Sequence, residues 1–140
     1  MATGPGGKTI VLRYLEALQA RDRDALVAVV APDVVAHAPG GRPGVEGFEA
    51  WFDAVCDPTF VDERCLVEDV VAEGDRVVVR YTVEVTHAGP FLGIAPTGRR
   101  ISSTGIKIYR IRAGRIAEMW GEQDVVGLYQ AIGGSWPPPG

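Results

Sequence analysis

Asp124 stands where an alternating stretch, Arg115 to Gln123, gives way to helical spacing in Val125, Leu128, Tyr129 and Ile132. A carboxylate at such a junction can do two things. Asp is a favoured N-cap, accepting from the free amides of the first helical turn, and the helix N-terminus favours its charged form, which keeps its pKa low. If apolar side chains enclose it instead, its pKa rises toward the range of a working general base. The roles are compatible, because a cap orients its own carboxylate.

Few other side chains in the sequence could share that chemistry. Glu122 has the strand parity of Ile116, Glu118 and Trp120, and Asp124 continues it. Two carboxylates facing one cavity would raise each other's pKa; a solvated strand-end Glu is the plainer reading. The two histidines, His37 and His87, each lie near the end of a predicted strand. Either could polarise a substrate carbonyl or orient Asp124, or be a satisfied structural histidine. Two His and an Asp can ligate a metal, but these separations carry no ligand signature and no metal is expected. Lys107 shares parity with Tyr109 and Ile111 and is one of two lysines in the chain. An exposed lysine is the plainer reading, whereas a desolvated one could stabilise an enolate or form a Schiff base. Tyr14, Trp51, Phe52, Phe91 and Trp120 read first as packing residues, with edges available to line a substrate cavity.

The elements that would position these residues follow from periodicity. Ile10, Val11, Tyr14, Leu15 and Leu18 mark one face of a first helix. A second short helix follows Asp22 or Asp24 and stops at Pro32. Asp33 to Ala38 reads as a strand, PGGRPG as a loop, and Val45 to about Cys56 as a third helix with an aromatic stripe. Arg64 to Ala72 and Arg76 to His87 flank the turn Glu73-Gly74-Asp75, a hairpin. In the second of these, Val77, Val79, Tyr81, Val83, Val85 and His87 share one face. Arg100 to Ile111 and Arg115 to Gln123 form a second hairpin, and a last helix runs from Val125 to Ile132 before Gly133. This order, three helices and then a long antiparallel meander, is α+β, and a strongly twisted, mainly antiparallel sheet wrapped on its N-terminal helices can curl into a cone. Its open end would be a small-molecule cavity.

A chain of 140 residues fits a single domain, with an ordered core from about 8 to 133 and a flexible Pro-rich tail over 134–140. Net charge is -4 and no basic cluster exceeds Arg99-Arg100, which argues against nucleic acid as a partner. No apolar run could span a bilayer and the N-terminus lacks a secretory core, so no membrane partner and a cytoplasmic location are expected. Cys56 and Cys65 lack metal-ligand spacing and read as free thiols.

Four segments together carry a family resemblance. They are DVVAHAPG around His37, Val71 to Arg100 ending in FLGIAPTGRR, Gly105 to Asp124, and GLYQAIG from Gly127 to Gly133. With them the chain resembles the SnoaL-like polyketide cyclases of the nuclear-transport-factor-two-like superfamily. The resemblance implies an oligomer, a homodimer or homotetramer, with a deep cavity for a hydrophobic small molecule and no cofactor. It also implies a cyclase of secondary metabolism, closing a polyketide ring by intramolecular aldol chemistry with Asp124 as acid/base. On that reading Asp124→Asn would keep the fold and lose activity. Relatives also open epoxides, isomerise or have no known reaction, so a hydrolase or a non-catalytic binding protein stays open. Many members carry a Pro-Asp pair where this chain reads CDPTFVDERC, so substrate identity does not carry over.

Overall fold

The computed structural model describes residues 6–38 and 43–137. Helix α1 (Gly7–Gln19) buries Ile10, Val11, Tyr14, Ala17 and Leu18 along one face. Its partner α2 (Arg23–Val29) is capped by Asp22, whose carboxylate accepts from the Ala25 N–H at 3.1 Å. There the chain departs from expectation. The helix stops at Val29, and β1 (Val30–His37) begins three residues earlier than Asp33, with Pro32 inside it. Pro32 is tolerated because the pairing of β1 with the last strand shifts register between Val30 and Val35, so no regular ladder amide is needed at that point.

The third helix is also shorter than expected. Val45 and Glu46 form β2 (Val45–Glu46) against Ala36 and Val35, and Gly47, at φ 91°, turns the chain into α3 (Phe48–Val55). Then β3 (Phe60–Glu73), β4 (Arg76–His87), β5 (Arg100–Arg112) and β6 (Arg115–Gln123) run as an antiparallel meander, followed by α4 (Val125–Ala131). The six strands lie in the order β2-β1-β6-β5-β4-β3, and β1 joins β6 in parallel. The α+β class and the curved, mainly antiparallel sheet wrapped on its helices are as expected. The N-terminal residues 1–5, residues 39–42 of the PGGRPG loop and the end of the tail at 138–140 lie outside the described residues.

Bulges on β3 and β6 reset the alternation. On β3 the register shifts between Val61 and Arg64, which lets the strand start at Phe60 instead of Arg64. On β6, Ile116 pairs with Ile111 while Glu118 pairs with Arg110, so Ala117 is the extra residue. Ile116 therefore does not share a face with Glu118, Trp120 and Glu122: it is fully buried. The core sits between the concave face of the sheet and the helices. Tyr14 packs edge-on to Tyr109 at 5.4 Å between ring centroids and lies 5.8 Å from Trp51. These rings close the narrow end of the cone. Ile116→Ala, leaving a cavity beside this cluster, is expected to cost about 2–5 kcal/mol. Denaturant unfolding should show it as a lower midpoint at unchanged slope.

Candidate active site

The open end of the cone holds a cavity with two connected lobes of about 410 and 360 Å³, sharing Ala54, Val55, Tyr81, Lys107 and Gln123. That volume suits a small organic ligand. Its floor is the inward-facing set of β4, β5 and β6. Strand alternation sends Tyr81, Val83 and Val85 inward from β4, Lys107 from β5, and Met119, Gly121 and Gln123 from β6.

Two glycines give the polar side chains room. Gly105 is paired with Tyr81, and a Cβ there would clash with the Tyr81 ring and hydroxyl and lie 2.8 Å from the Glu122 carbonyl oxygen. Gly121 is paired with Lys107, and a Cβ there would come within 3.3 Å of the lysine Cγ and Cε. Tyr81 and Lys107 thus lie down along the sheet, and the Lys107 ammonium reaches to 5.9 Å from the Tyr81 ring centroid. Burial lowers the Lys107 pKa, partly offset by the Glu63 carboxylate. Burial pushes the Tyr81 phenol up to about 12, so it remains a hydrogen-bond donor at ordinary pH. Among the described residues lining the two lobes, Lys107 is the one Lys or Arg. The plainer reading of an exposed lysine does not hold. Parity with Tyr109 was the available signal, obscured because Ile106 and Ile108 give the opposite face an apolar look too.

The segment CDPTFVDERC supplies Asp57, Thr59, Phe60 and Glu63 to the larger lobe. Asp57 is committed to the turn: its carboxylate accepts from the Thr59 N–H at 2.8 Å, and the bonds to Thr59 hold its pKa below the usual value. Glu63 is turned into the lobe by the β3 bulge and lies 4.0 Å from the Arg21 guanidinium. Sequence periodicity does not find Glu63, because the bulge that aims it breaks the period.

Asp124, by contrast, does not line this cavity. It is exposed, its carboxylate accepts from the Gly127 N–H at 2.8 Å, and its backbone carbonyl accepts from the Ser103 hydroxyl. It borders a shallow groove on the convex face with Arg80, Ile106 and Glu122. The expected catalytic position of Asp124 is therefore corrected to that of a cap, and Glu122 faces away from the cavity with it. Within the meander, the carboxamide of Gln123 is what points inward. Since Asp124 pairs with no second buried polar group among the described residues, the geometry does not favour an epoxide-opening pair built on it.

His87 is also corrected. It is fully buried, its Nδ1 accepts from the Thr97 N–H at 3.1 Å, and its Nε2 has no partner among the described residues. The Phe60 ring lies beside it at 5.5 Å, and Phe91 packs edge-on to Phe60 at 5.1 Å. His87 pins the loop before β5 and does not line the cavity, whereas Phe91 does. His37 lines the rim of the smaller lobe, stacked on Trp120 at 5.2 Å with 9° between planes. Its Nε2 donates to Glu118 at 2.6 Å, and Arg110 donates to the same carboxylate at 3.1 Å. Trp51 and Trp120 also line the smaller lobe; Tyr14 and Phe52 pack in the layer behind. Among the described residues no three His, Cys, Asp or Glu side chains converge as a metal site.

The curved sheet, the cavity it encloses and the order of its strands have counterparts in known proteins. Residues 8–132 match the SnoaL-like polyketide cyclase family. The chain belongs to this family. It is 31% identical over 101 residues to the aklanonic acid methyl ester cyclase DnrD of Streptomyces peucetius, covering 70% of each chain. The crystal structure of wild-type IdmH, described as a proposed polyketide cyclase of Streptomyces antibioticus, superposes with a TM-score of 0.79 at 32% identity, covering 90% of this chain and 97% of that one. AclR of Streptomyces galilaeus, described as a proposed hydroxylase, superposes at 0.74 with 27% identity, covering 90% and 94%. One SnoaL-like framework thus carries proteins described with different chemistries.

Two outcomes follow from this geometry. Asp124→Asn should leave both stability and turnover near wild type, because Asn caps as well as Asp. Asp124→Ala should cost about 0.5–2 kcal/mol in denaturant unfolding and still leave turnover intact. The second concerns Glu118, whose carboxyl is held below its ordinary value by the bond from His37, helped by Arg110. A depressed folded-state pKa contributes stability above the unfolded carboxylate range and loses it as pH falls through the folded value. Glu118→Gln should therefore be less stable than wild type at neutral pH, with the gap closing in acid.

Proposed function

We propose that this SnoaL-like chain closes a ring in a polyketide-like substrate by cofactor-independent intramolecular aldol chemistry in the concave cavity. The observation that carries the reading is the placement of one ammonium, Lys107, in the same lobe as the Glu63 carboxylate, the other carboxylate there, Asp57, being committed to its turn. The chemistry they suit is proton removal next to a carbonyl. Glu63 takes the proton, Lys107 activates the carbonyl whose enol forms, and the enol carbon attacks a second carbonyl of the same molecule. Tyr81, protonated at working pH, donates to the oxygen that becomes the new hydroxyl. The apolar walls, Val83, Val85 and Phe91, fold the chain of the substrate so that the reacting carbons meet. The name of the DnrD relative, aklanonic acid methyl ester cyclase, supports ring closure of a carboxylic acid methyl ester.

A second reading is favoured by one observation. Asp124, the residue the family motif offers as acid/base, is turned to solvent as a plain cap. A binding protein without turnover would show the same. The two readings separate in an assay with aromatic polyketone esters, starting with aklanonic acid methyl ester. Product should be an isomer of the substrate, followed by loss of the β-dicarbonyl absorbance and by NMR. Lys107→Met and Glu63→Gln should each lower kcat by about 10²–10³-fold, with binding measured by fluorescence changed far less. Saturable binding with no turnover, or full turnover by Lys107→Met, would overturn the aldol reading.

A further inference from the structure

The way Lys107 is held says more than that a positive charge is wanted in the cavity. Of the fourteen Lys and Arg residues in the chain, two are lysines. Lys8 is exposed at the start of α1, and Lys107 lies in the cavity. An arginine there would be a permanent cation, and only a lysine can lose its proton and become a nucleophile. The surroundings favour that form. Burial in the cavity lowers its pKa, and its stem passes Gly121, where a Cβ would stand 3.3 Å from Lys107 Cγ and Cε, so its path uses the space of a missing side chain. Its carboxylate neighbour Glu63 is shared with Arg21, so Lys107 has no ion-pair partner of its own within 4.0 Å among the described residues. Both cavity lobes open onto it, so a carbonyl can approach from either side.

We propose that Lys107 is a covalent amine catalyst, forming an imine with a ketone carbonyl of the substrate. This rests on the aldol reading of the same cavity and specifies how the donor carbonyl is activated. The Nζ lone pair attacks the carbonyl carbon; a C–N bond forms and the carbonyl oxygen takes up a proton, giving a carbinolamine. The C–O bond then breaks with release of water, leaving a protonated imine. Glu63 removes the adjacent carbon-bound proton, and the C–H electrons form an enamine. The enamine carbon bonds to the second carbonyl carbon, whose oxygen is protonated as hydroxyl. Water adds to the regenerated iminium and releases the cyclised ketone and the free amine. Nothing is oxidised or reduced overall, and the water released is the water consumed. The substrate class follows: a ketone, as a 1,3-dicarbonyl or its vinylogue, with a second carbonyl within folding reach. Gly121 is the positioning residue for the amine.

The test uses acetylacetone, a 1,3-diketone, as probe on the intact wild-type protein at neutral pH, followed by site-resolved peptide mass spectrometry. The expected result is a gain at Lys107 equal to the diketone less one water. Its rate should exceed that at Lys8 by about tenfold for each unit by which its pKa lies lower, and the rate should level off at a pH below the ordinary lysine range. Gly121→Ala should slow labelling at Lys107 and leave Lys8 unchanged. Lys107 unlabelled, or labelled no faster than Lys8, would overturn the proposal without any variant having to fold. Turnover divides the two claims. Lys107→Arg keeps a cation but cannot form an imine, so the proposal expects it to be as inactive as Lys107→Met. An active Lys107→Arg beside an inactive Lys107→Met refutes the imine and leaves the aldol reading standing, whereas an active Lys107→Met refutes both.

Discussion

The antiparallel register of β4, β5 and β6 sets Tyr81 opposite Gly105 and Lys107 opposite Gly121, and the contents of the cavity depend on that pairing. On a curved sheet the concave face is crowded, and a long side chain can stay there only if its cross-strand neighbour yields the space. Gly105 and Gly121 yield it. A shift by one residue would turn Lys107 to the convex side and bring Ile106 or Ile108 inward, leaving an apolar cavity with no amine. The same pairing satisfies the backbone of all three strands, so folding and the construction of the site are one event.

The division between core and cavity follows from the same geometry. Tyr14 and Tyr109 are buried in the core, and Trp51 packs on Tyr14 with its edge toward the smaller lobe. Along β4 the inward residues change from Val77 and Val79 to Tyr81, and Lys107, opposite Val79, reaches into the cavity. Desolvation shifts the lysine toward its neutral form and keeps the tyrosine protonated. Those are opposite consequences for charge but one physical cause: each group is moved toward its uncharged state. The bulge on β3 then brings Glu63 to the same lobe, so acid, base and amine candidates come from three different strands.

The rim of the smaller lobe carries its own polar arrangement. His37 stacks on Trp120, the Arg76 guanidinium lies 4.9 Å from the centroid of the same ring, and Glu118 joins His37 to Arg110. Asp124 and Glu122 belong to the convex surface beyond it. Membership of the SnoaL-like family therefore tells more about the frame than about which carboxylate acts: the aspartate that the family motif offers is present, but the described geometry turns it to solvent.

By itself, the sequence determined the class of fold, the two hairpins of the meander, a capping aspartate at Asp22 or Asp24, and the family. Each of these is written in local period, turn chemistry or contiguous motif, so β4 and β6 could be delimited before any contact was known. It also put Lys107 on one face with Tyr109 and Tyr81 on one face with His87. What it left undecided was which of two partly apolar faces is concave, because Ile106 and Ile108 outside match Tyr109 and Ile101 inside in hydrophobicity. Only the packing of α1 against the sheet chose between them. The tertiary structure also decided the positions that bulges control: Glu63 turned inward, and Ile116 separated from Glu118. It separated Gln123 from Asp124 as well, because the strand ends between them and the helix claims the aspartate as its cap. A period of two cannot foresee an inserted residue, and a junction residue takes its direction from the element that binds it.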